Sequence, residues 1–282
     1  GIGLIKSIRA LKESNKLYNI VAIDCNEMGA GLFLADKYYV VPPMNQMFFD
    51  GWSEIKEIIL KETINFILPT SESELLLFSN YKDELNQLGV EIYISAPDTI
   101  KLCNDKFEFW KALQSKFLMP NPVNSVFLKP DIGAGARGTK KIEASEGFHL
   151  WEYLPGKEYT VDVLCDLKSN PIVVVPRKRL QIKAGISSKG QVIKHKQIED
   201  LCRNLSIYLK LKGPVCIQLK DDSNGNPKFI EVNPRLGGGT YFSTLAGVNF
   251  LDLILKIKNN QEYTIPELKE ITVLRYYNEI VI

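Results

Sequence analysis

Near the end of the chain stands Phe229-Ile230-Glu231-Val232-Asn233-Pro234-Arg235, followed closely by Gly237, Gly238 and Gly239. In an extended strand alternate side chains share a face, so Glu231 and Asn233 point the same way. A carboxylate beside an amide oxygen suits a hard cation such as Mg²⁺ that also holds phosphate groups. A carboxylate on an otherwise apolar strand is hard to explain structurally, because its burial needs a partner. Gln218, in Val215-Cys216-Ile217-Gln218-Leu219, reaches the same place if the Asp-, Asn- and Gly-rich residues 221–227 turn a hairpin. Arg235 then aims a planar fork at a transferring phosphoryl group or an acyl phosphate.

Three other segments carry chemistry. In Lys129-Pro130-Asp131-Ile132-Gly133-Ala134-Gly135-Ala136-Arg137-Gly138 a lysine ends a strand-like run and glycines follow. Glycines let backbone N–H groups approach phosphate oxygens, which Lys129 and Arg137 neutralise. The competing reading is a flexible basic turn, and no Gly-Lys-Ser/Thr closes the loop as a Walker A motif would. In Trp151-Glu152-Tyr153-Leu154-Pro155-Gly156-Lys157-Glu158 an apolar strand end runs into Pro-Gly. Main-chain groups of such a linker can read an adenine edge, with Glu158 accepting from ribose hydroxyls; an ordinary turn between strands has the same composition. Arg177 and Arg179, with Lys183 and Gly185, set cations near a turn and are candidate ligands for a substrate carboxylate, or else a solvated basic run. Residues 70–74, Thr-Ser-Glu-Ser-Glu, either line the other side of a cleft or cap a helix through Ser71 and Glu74.

The elements that must hold these groups follow from periodicity. Residues 19–24, 65–69 and 90–95 read as buried strands. Residues 52–63 and 74–88 read as helices between them, after a helical spacing of Ile5, Ile8 and Leu11. Strands alternating with helices imply a parallel sheet covered on both faces. Residues 99–117 read as one helix carrying Asp105-Lys106 and broken by Pro120 and Pro122. Period-two stretches at 159–164 and 172–175, with helices at 199–209 and 250–258, make the second half α+β. Gly1-Ile2-Gly3 alone is a weak dinucleotide signal, lacking both a third glycine and a preceding strand. The chain opens without methionine, so native residues are expected before Gly1.

Composition removes several classes. With 282 residues, 45% hydrophobic and 24% charged, the chain is an ordinary folded protein of about two domains. A net charge of +2 speaks against a nucleic-acid partner, and no apolar run approaches the length of a membrane span. Two histidines make a histidine zinc site or a Ser-His-Asp relay improbable. Five cysteines without a C-x-x-C read as reduced core residues, which with no signal peptide implies a cytoplasmic protein.

Taken in order, Asp105-Lys106, Lys129-Pro-x-x-Gly-x-Gly-x-Arg-Gly138, Glu152-Tyr-Leu-x-Gly-x-Glu158, Gln218 and Glu231-x-Asn-Pro-Arg235 resemble the ATP-grasp superfamily. The resemblance is nearest to the carbamoyl-phosphate-synthase large-subunit-like branch that includes the pyrrolysine biosynthesis ligase, and it spans nearly the whole chain. It implies an α/β pre-ATP-grasp domain over residues 1–97 and an α+β ATP-grasp domain over 98–282, with a small mobile lid at about 120–152. It implies ATP contacts from Lys106 and Lys129, adenine recognition by Glu152, Tyr153 and Leu154, and a ribose contact from Glu158. Magnesium, for which Mn²⁺ can stand in, falls to Gln218, Glu231 and Asn233, and stabilisation of the intermediate to Arg235. Gly133, Gly135 and Arg137 would complete the phosphate loop.

The activity implied is ATP-dependent ligation of a small carboxylate to an amine or related nucleophile through an acyl phosphate. The alternatives are a nucleotide-binding module without turnover, or a carbamoyl-phosphate-synthase-like bicarbonate or carbamate kinase. The family pattern leaves room for a homodimer. Residues 121–125 and 145–147 are shorter than the family pattern. Either the lid is reduced or mobile lid residues are missing from this sequence, and the motion of family lids favours the second.

Overall fold

The computed structural model describes residues 1–11, 18–44, 51–128, 140–183, 185–276 and 278–282. The first half runs α1 (Ile2–Arg9), β1 (Val21–Asp24), β2 (Lys37–Val40), α2 (Gly51–Lys61), β3 (Phe66–Ile67), α3 (Glu72–Asn80), α4 (Lys82–Gln87), β4 (Glu91–Ile92), α5 (Pro97–Asn104) and α6 (Lys106–Leu113). β1 pairs with β2 and β3 with β4, both parallel, as the alternation of strand and helix requires. Trp52, Ile55 and Ile59 of α2 pack with Leu75, Phe78 and Leu85 in one apolar cluster. β2 was not foreseen; its Lys-Tyr-Tyr-Val is mostly exposed and carries no apolar alternation.

Two helices expected as single are each broken in two. The stretch 74–88 divides at Tyr81 (φ −105°, ψ 16°), whose ring stacks on Trp52 with centroids 4.2 Å apart. The stretch 99–117 divides at Asp105 (φ −91°, ψ 104°), whose carboxylate accepts the N–H groups of Phe107 and Glu108 at 3.0 and 2.9 Å. Asp105 is thus the N-cap of α6, and it puts Lys106 on the helix's first residue.

The second half runs β5 (Pro122–Val123), β6 (Ser125–Leu128), β7 (Lys140–Glu143), β8 (Leu150–Trp151), β9 (Glu158–Cys165), β10 (Pro171–Lys183), β11 (Ile186–Val192), α7 (Lys196–Tyr208), β12 (Gly213–Asp221), β13 (Pro227–Asn233), α8 (Tyr241–Leu245), α9 (Phe250–Lys258) and β14 (Ile271–Leu274). Six strands form an antiparallel sheet in the order β13-β12-β9-β10-β11-β14, giving the α+β half. One face is apolar: Val161, Val163, Val215, Ile217 and Leu219 pack with Leu205 of α7 and Phe109 of α6. On the other face register aligns Glu158 with Lys220, Thr160 with Gln218 and Arg177, and Gln218 with Glu231. α8 and α9 cover the far end of that polar face with Phe242, Phe250 and Leu251.

The short segments noted in the sequence stay short. β5 pairs with β8, and β6 with β7 inside them. A tight turn at Ser145–Phe148, with Gly147 at φ +77°, joins β7 to β8 where the family pattern has a helix.

Candidate active site

The hairpin between β12 and β13 is closed by Asp222, whose Oδ1 accepts the N–H groups of Asn224 and Asn226, with Gly225 at φ +81°. A register shift follows: Leu219 pairs with Phe229 but Gln218 with Glu231, so Ile230 is a bulge. The bulge sends Phe229 into the apolar core and Glu231, two residues on, into the polar face. A regular strand would put both on the same side.

Glu231 is the focus of that face. Its Oε1 accepts from Gln218 Nε2 at 2.5 Å and from Asn233 Nδ2 at 3.0 Å; its Oε2 lies 3.8 Å from Lys106 Nζ. The structure brings the four expected residues together. The Oδ1 of Asn233 receives no hydrogen bond among the described residues, and an oxygen so placed beside a carboxylate can serve a hard cation.

Arg179 lies alongside. Its Nη1 donates to Glu158 Oε1 and to Gln218 Oε1, both at 2.8 Å; Nε donates to Ser187 Oγ at 3.2 Å and Nη2 to the Gly185 carbonyl at 2.6 Å. The side chain is 6% exposed. The sequence reading set Arg177 and Arg179 near a turn as substrate ligands. Both lie on β10, which ends at Lys183 just before Gly185, and every nitrogen of Arg179 already has an acceptor.

Arg177 departs further from expectation. It is completely enclosed, with Nε and Nη2 each 2.8 Å from the two oxygens of Asp162, which also accept from Ser243 and Thr240. Burial works against its charge, and Asp162 more than offsets this, so the guanidinium is held charged. Gly239 lies so close that a Cβ there would stand 2.3 Å from Arg177 Nη1. Arg177 is therefore half of a buried ion pair under the glycine turn, with Nε and Nη2 committed to Asp162. Cys216, on the same face, has its thiol pushed up to about 12 by burial and the neighbouring Asp162.

Arg235 leaves β13 after Pro234 and crosses to the first half, where its Nε donates to Glu72 Oε1 at 2.9 Å and Nη2 meets the same oxygen. The capping reading of residues 70–74 holds. Ser71 and Glu74 form a capping box on α3, and Glu72, the helix's first residue, faces Arg235.

In the linker, the Glu152 N–H donates to the Asn121 carbonyl at 2.9 Å, so this residue can meet an adenine only through its carbonyl. Its side chain accepts from Lys228 Nζ at 2.6 Å and the Asn121 N–H at 2.7 Å. Burial pushes this carboxyl up, but Lys228 and the Asn121 N–H together carry it below its usual value. Leu154 is buried and Tyr153 is 82% exposed, with Lys220 Nζ 5.5 Å from its ring centre. Lys220 also lies 3.8 Å from Glu158. Lys129, Gly133, Gly135 and Arg137 lie outside the described residues. Asp162, Lys220 and Lys228 escaped the sequence reading; alternation with Glu158 along β9 was the one signal that pointed to Asp162. A cavity of about 670 Å³ between α7 and residues 265–268 contains none of the candidate residues.

Two family descriptions match the chain: "ATP-grasp in the biosynthetic pathway with Ter operon" over residues 145–280, and "PylC-like, N-terminal domain" over residues 3–93. The fold is that of known structures at low identity. A biotin carboxylase complex from Campylobacter jejuni is 14% identical with a TM-score of 0.64, over 94% of this chain and 69% of that one. The biotin carboxylase subunit of a pyruvate carboxylase is 18% identical with a TM-score of 0.63, over 93% and 68%. The biotin carboxylase domain dimer of Hydrogenobacter thermophilus 2-oxoglutarate carboxylase, solved with MgADP and bicarbonate, is 17% identical with a TM-score of 0.64, over 92% and 68%. Ordered motifs, a bulged β13 that turns Glu231 toward Gln218, and the two family matches agree: residues 145–280 match an ATP-grasp family, behind a match to the PylC-like N-terminal domain over residues 3–93.

Proposed function

We propose that the protein is an ATP-dependent ligase that activates a small-molecule carboxylate as its acyl phosphate and passes the acyl group to an amine or related nucleophile. The observation that carries this reading is the convergence of Gln218, Glu231, Asn233 and Lys106 on one face of the sheet. The donor set fits a hard cation, since oxygen-bearing side chains lie within hydrogen-bond distance of one another. Glu231 and Asn233, with Gln218 against them, would hold Mg²⁺, which when bound neutralises phosphate charge and orients the γ-phosphoryl group. Mn²⁺ has the same ligand preferences.

The protein's own part is positioning. The Glu152 carbonyl and the main-chain groups of Tyr153 and Leu154 would meet the adenine, and Glu158 would accept from the ribose. Lys106 and Lys129, with the glycine loop of Gly133, Gly135 and Arg137, steady the phosphates. Arg235, paired with Glu72, would exchange that partner for the charge that builds on the carboxylate oxygens of an anionic intermediate. The same reading divides the chain at residue 97 and assigns 120–152 to a subdomain that enters and leaves through the paired β5 and β8. It includes assembly of two copies. Among the described residues no helix is long and apolar enough to cross a membrane.

The test is ADP release in a screen of amino acids and other small carboxylates, each with and without amines. Hydroxylamine then traps an acyl phosphate as a hydroxamate. Carboxylate-dependent ADP release with hydroxamate formation supports the proposal. ADP release on bicarbonate alone points to carbamoyl-phosphate-type chemistry, and nucleotide binding without any turnover points to a non-catalytic module.

A further inference from the structure

Arg179 is not used by the chemistry above, yet it lies against the site, between Glu158 and Gln218. Arginine has only donors to offer. The atom of Gln218 that faces Arg179 must therefore be its oxygen, whichever way an amide is drawn. That leaves the Gln218 NH₂ toward Glu231, a carboxylate that can only accept, and the observed contacts are these two. The same Nη1 also holds Glu158. One guanidinium thus ties a residue of the ribose contact to the orientation of the carboxylate meant for the metal, through a single intervening amide.

Contrast with Asn233 sharpens the point. Its amide nitrogen faces Glu231 too, but no donor among the described residues occupies its oxygen. Asn233 can offer oxygen to a cation without losing a contact, whereas Gln218 would have to turn away from a charged donor. Gln218 then acts as a hydrogen-bond donor that aims Glu231.

We propose that Arg179 is a positioning residue: it locks Gln218 as a donor to Glu231 and so couples nucleotide binding at Glu158 to metal binding at Glu231. This rests on the assignment of the nucleotide and metal contacts above. The physical requirement for coupling is a connected element that both sites bias, and the chain Glu158–Arg179–Gln218–Glu231 supplies one.

The experiment measures ADP affinity by calorimetry with Mg²⁺ and with EDTA, and takes the ratio of the two dissociation constants. In the wild-type protein Mg²⁺ tightens ADP. Arg179→Met should reduce that ratio by at least about fivefold, the lower end of ordinary coupling between sites. Arg179→Lys keeps the charge beside Glu158 but not the fork, and should give an intermediate loss; it carries the test if the methionine variant does not fold. Gln218→Met should reduce the ratio as Arg179→Met does. A purely architectural Arg179 predicts something else: lower thermal stability, or both affinities weakened equally, with the ratio unchanged. An unchanged ratio in a folded Arg179 variant, with Gln218→Met still reducing it, overturns the proposal and makes Gln218 a direct metal ligand. Wild-type protein that binds no ADP under either condition removes the functional reading itself, and this inference with it.

Discussion

Replacing Asp162 by alanine separates the structural account of Arg177 from the ligand role that its sequence position suggests. Both side chains of the pair are 2% exposed, and the carboxylate receives two charge-assisted bonds of 2.8 Å besides those from Ser243 and Thr240. Asp162→Ala leaves a guanidinium in the interior with no counter-charge. Breaking a buried pair from one side costs about 3–5 kcal/mol, and the stranded hydroxyls push the figure toward the upper end. For a chain of this length each kcal/mol lowers Tm by about 2–4 °C, so the drop should be roughly 6–20 °C. Arg177→Met alone should be nearly as damaging, and Asp162→Leu with Arg177→Met should recover most of the loss because no charge is left unpaired. Calorimetric scans and urea titrations of the singles and the double measure this, with ADP and Mg²⁺ affinity followed in parallel. If Arg177→Met keeps wild-type stability while raising KM for the carboxylate substrate, the buried-pair argument fails and Arg177 regains its place as a ligand.

On the proposed assignment of Glu231 to the metal, Glu231→Gln should abolish carboxylate-dependent ADP release while only weakening ADP binding; wild-type turnover in the variant would sink the assignment. Gly239→Ala should destabilise by about 1–3 kcal/mol in urea titrations, since a Cβ would collide with the fixed Arg177; an unaffected midpoint would mean that the turn moves freely. Lys228→Met should lower stability at neutral pH by removing the partner of Glu152. The Glu152 carboxyl is depressed in the folded state, so its contribution is complete above the usual carboxyl value near 4.5 and fades as pH falls through the lowered folded value. The gap between wild type and variant should therefore close on acidification below that point, and a gap constant with pH would exclude the ion pair as its source.

How far the sequence reached can be traced to what each signal encodes. Asp222 to Asn226 announced a hairpin through turn chemistry that acts within five residues, and it is there. The break at Asp105 was legible in principle, since aspartate before an apolar helical run is a capping signal. The continuous period-3.6 pattern on both sides of it argued for one helix, and the cap won locally. Glu231 and Asn233 were assigned to one face correctly, whereas the bulge at Ile230 that frees Phe229 for the core leaves no mark in composition. Lys228 and Lys220 were invisible for another reason: each acquires its meaning from a partner across strands, Glu152 and Glu158, at a separation no local pattern encodes.

The two arginines of β10 show most plainly where one-dimensional reasoning stops. Arg177 and Arg179 are two residues apart, face the same side of one strand and each meets a carboxylate of β9. Nothing in their own alternation distinguishes them. What separates them is the covering layer: Gly237–Gly239 and α8 close over Asp162 and Arg177, while Arg179 lies beyond that cover at the edge of the Glu231 cluster. The same kind of ion pair is therefore buried architecture at one position and, in the proposal above, a link between two ligand contacts at the next. The glycines matter to the first role for a steric reason, since Gly239 packs against the guanidinium where a Cβ would not fit. The sheet face thus changes within one strand repeat from the enclosed Asp162–Arg177 pair to the contacts that surround Glu231. The buried pair anchors β9, β10 and the glycine turn to one another, and the next pair along the same strands aims the carboxylate.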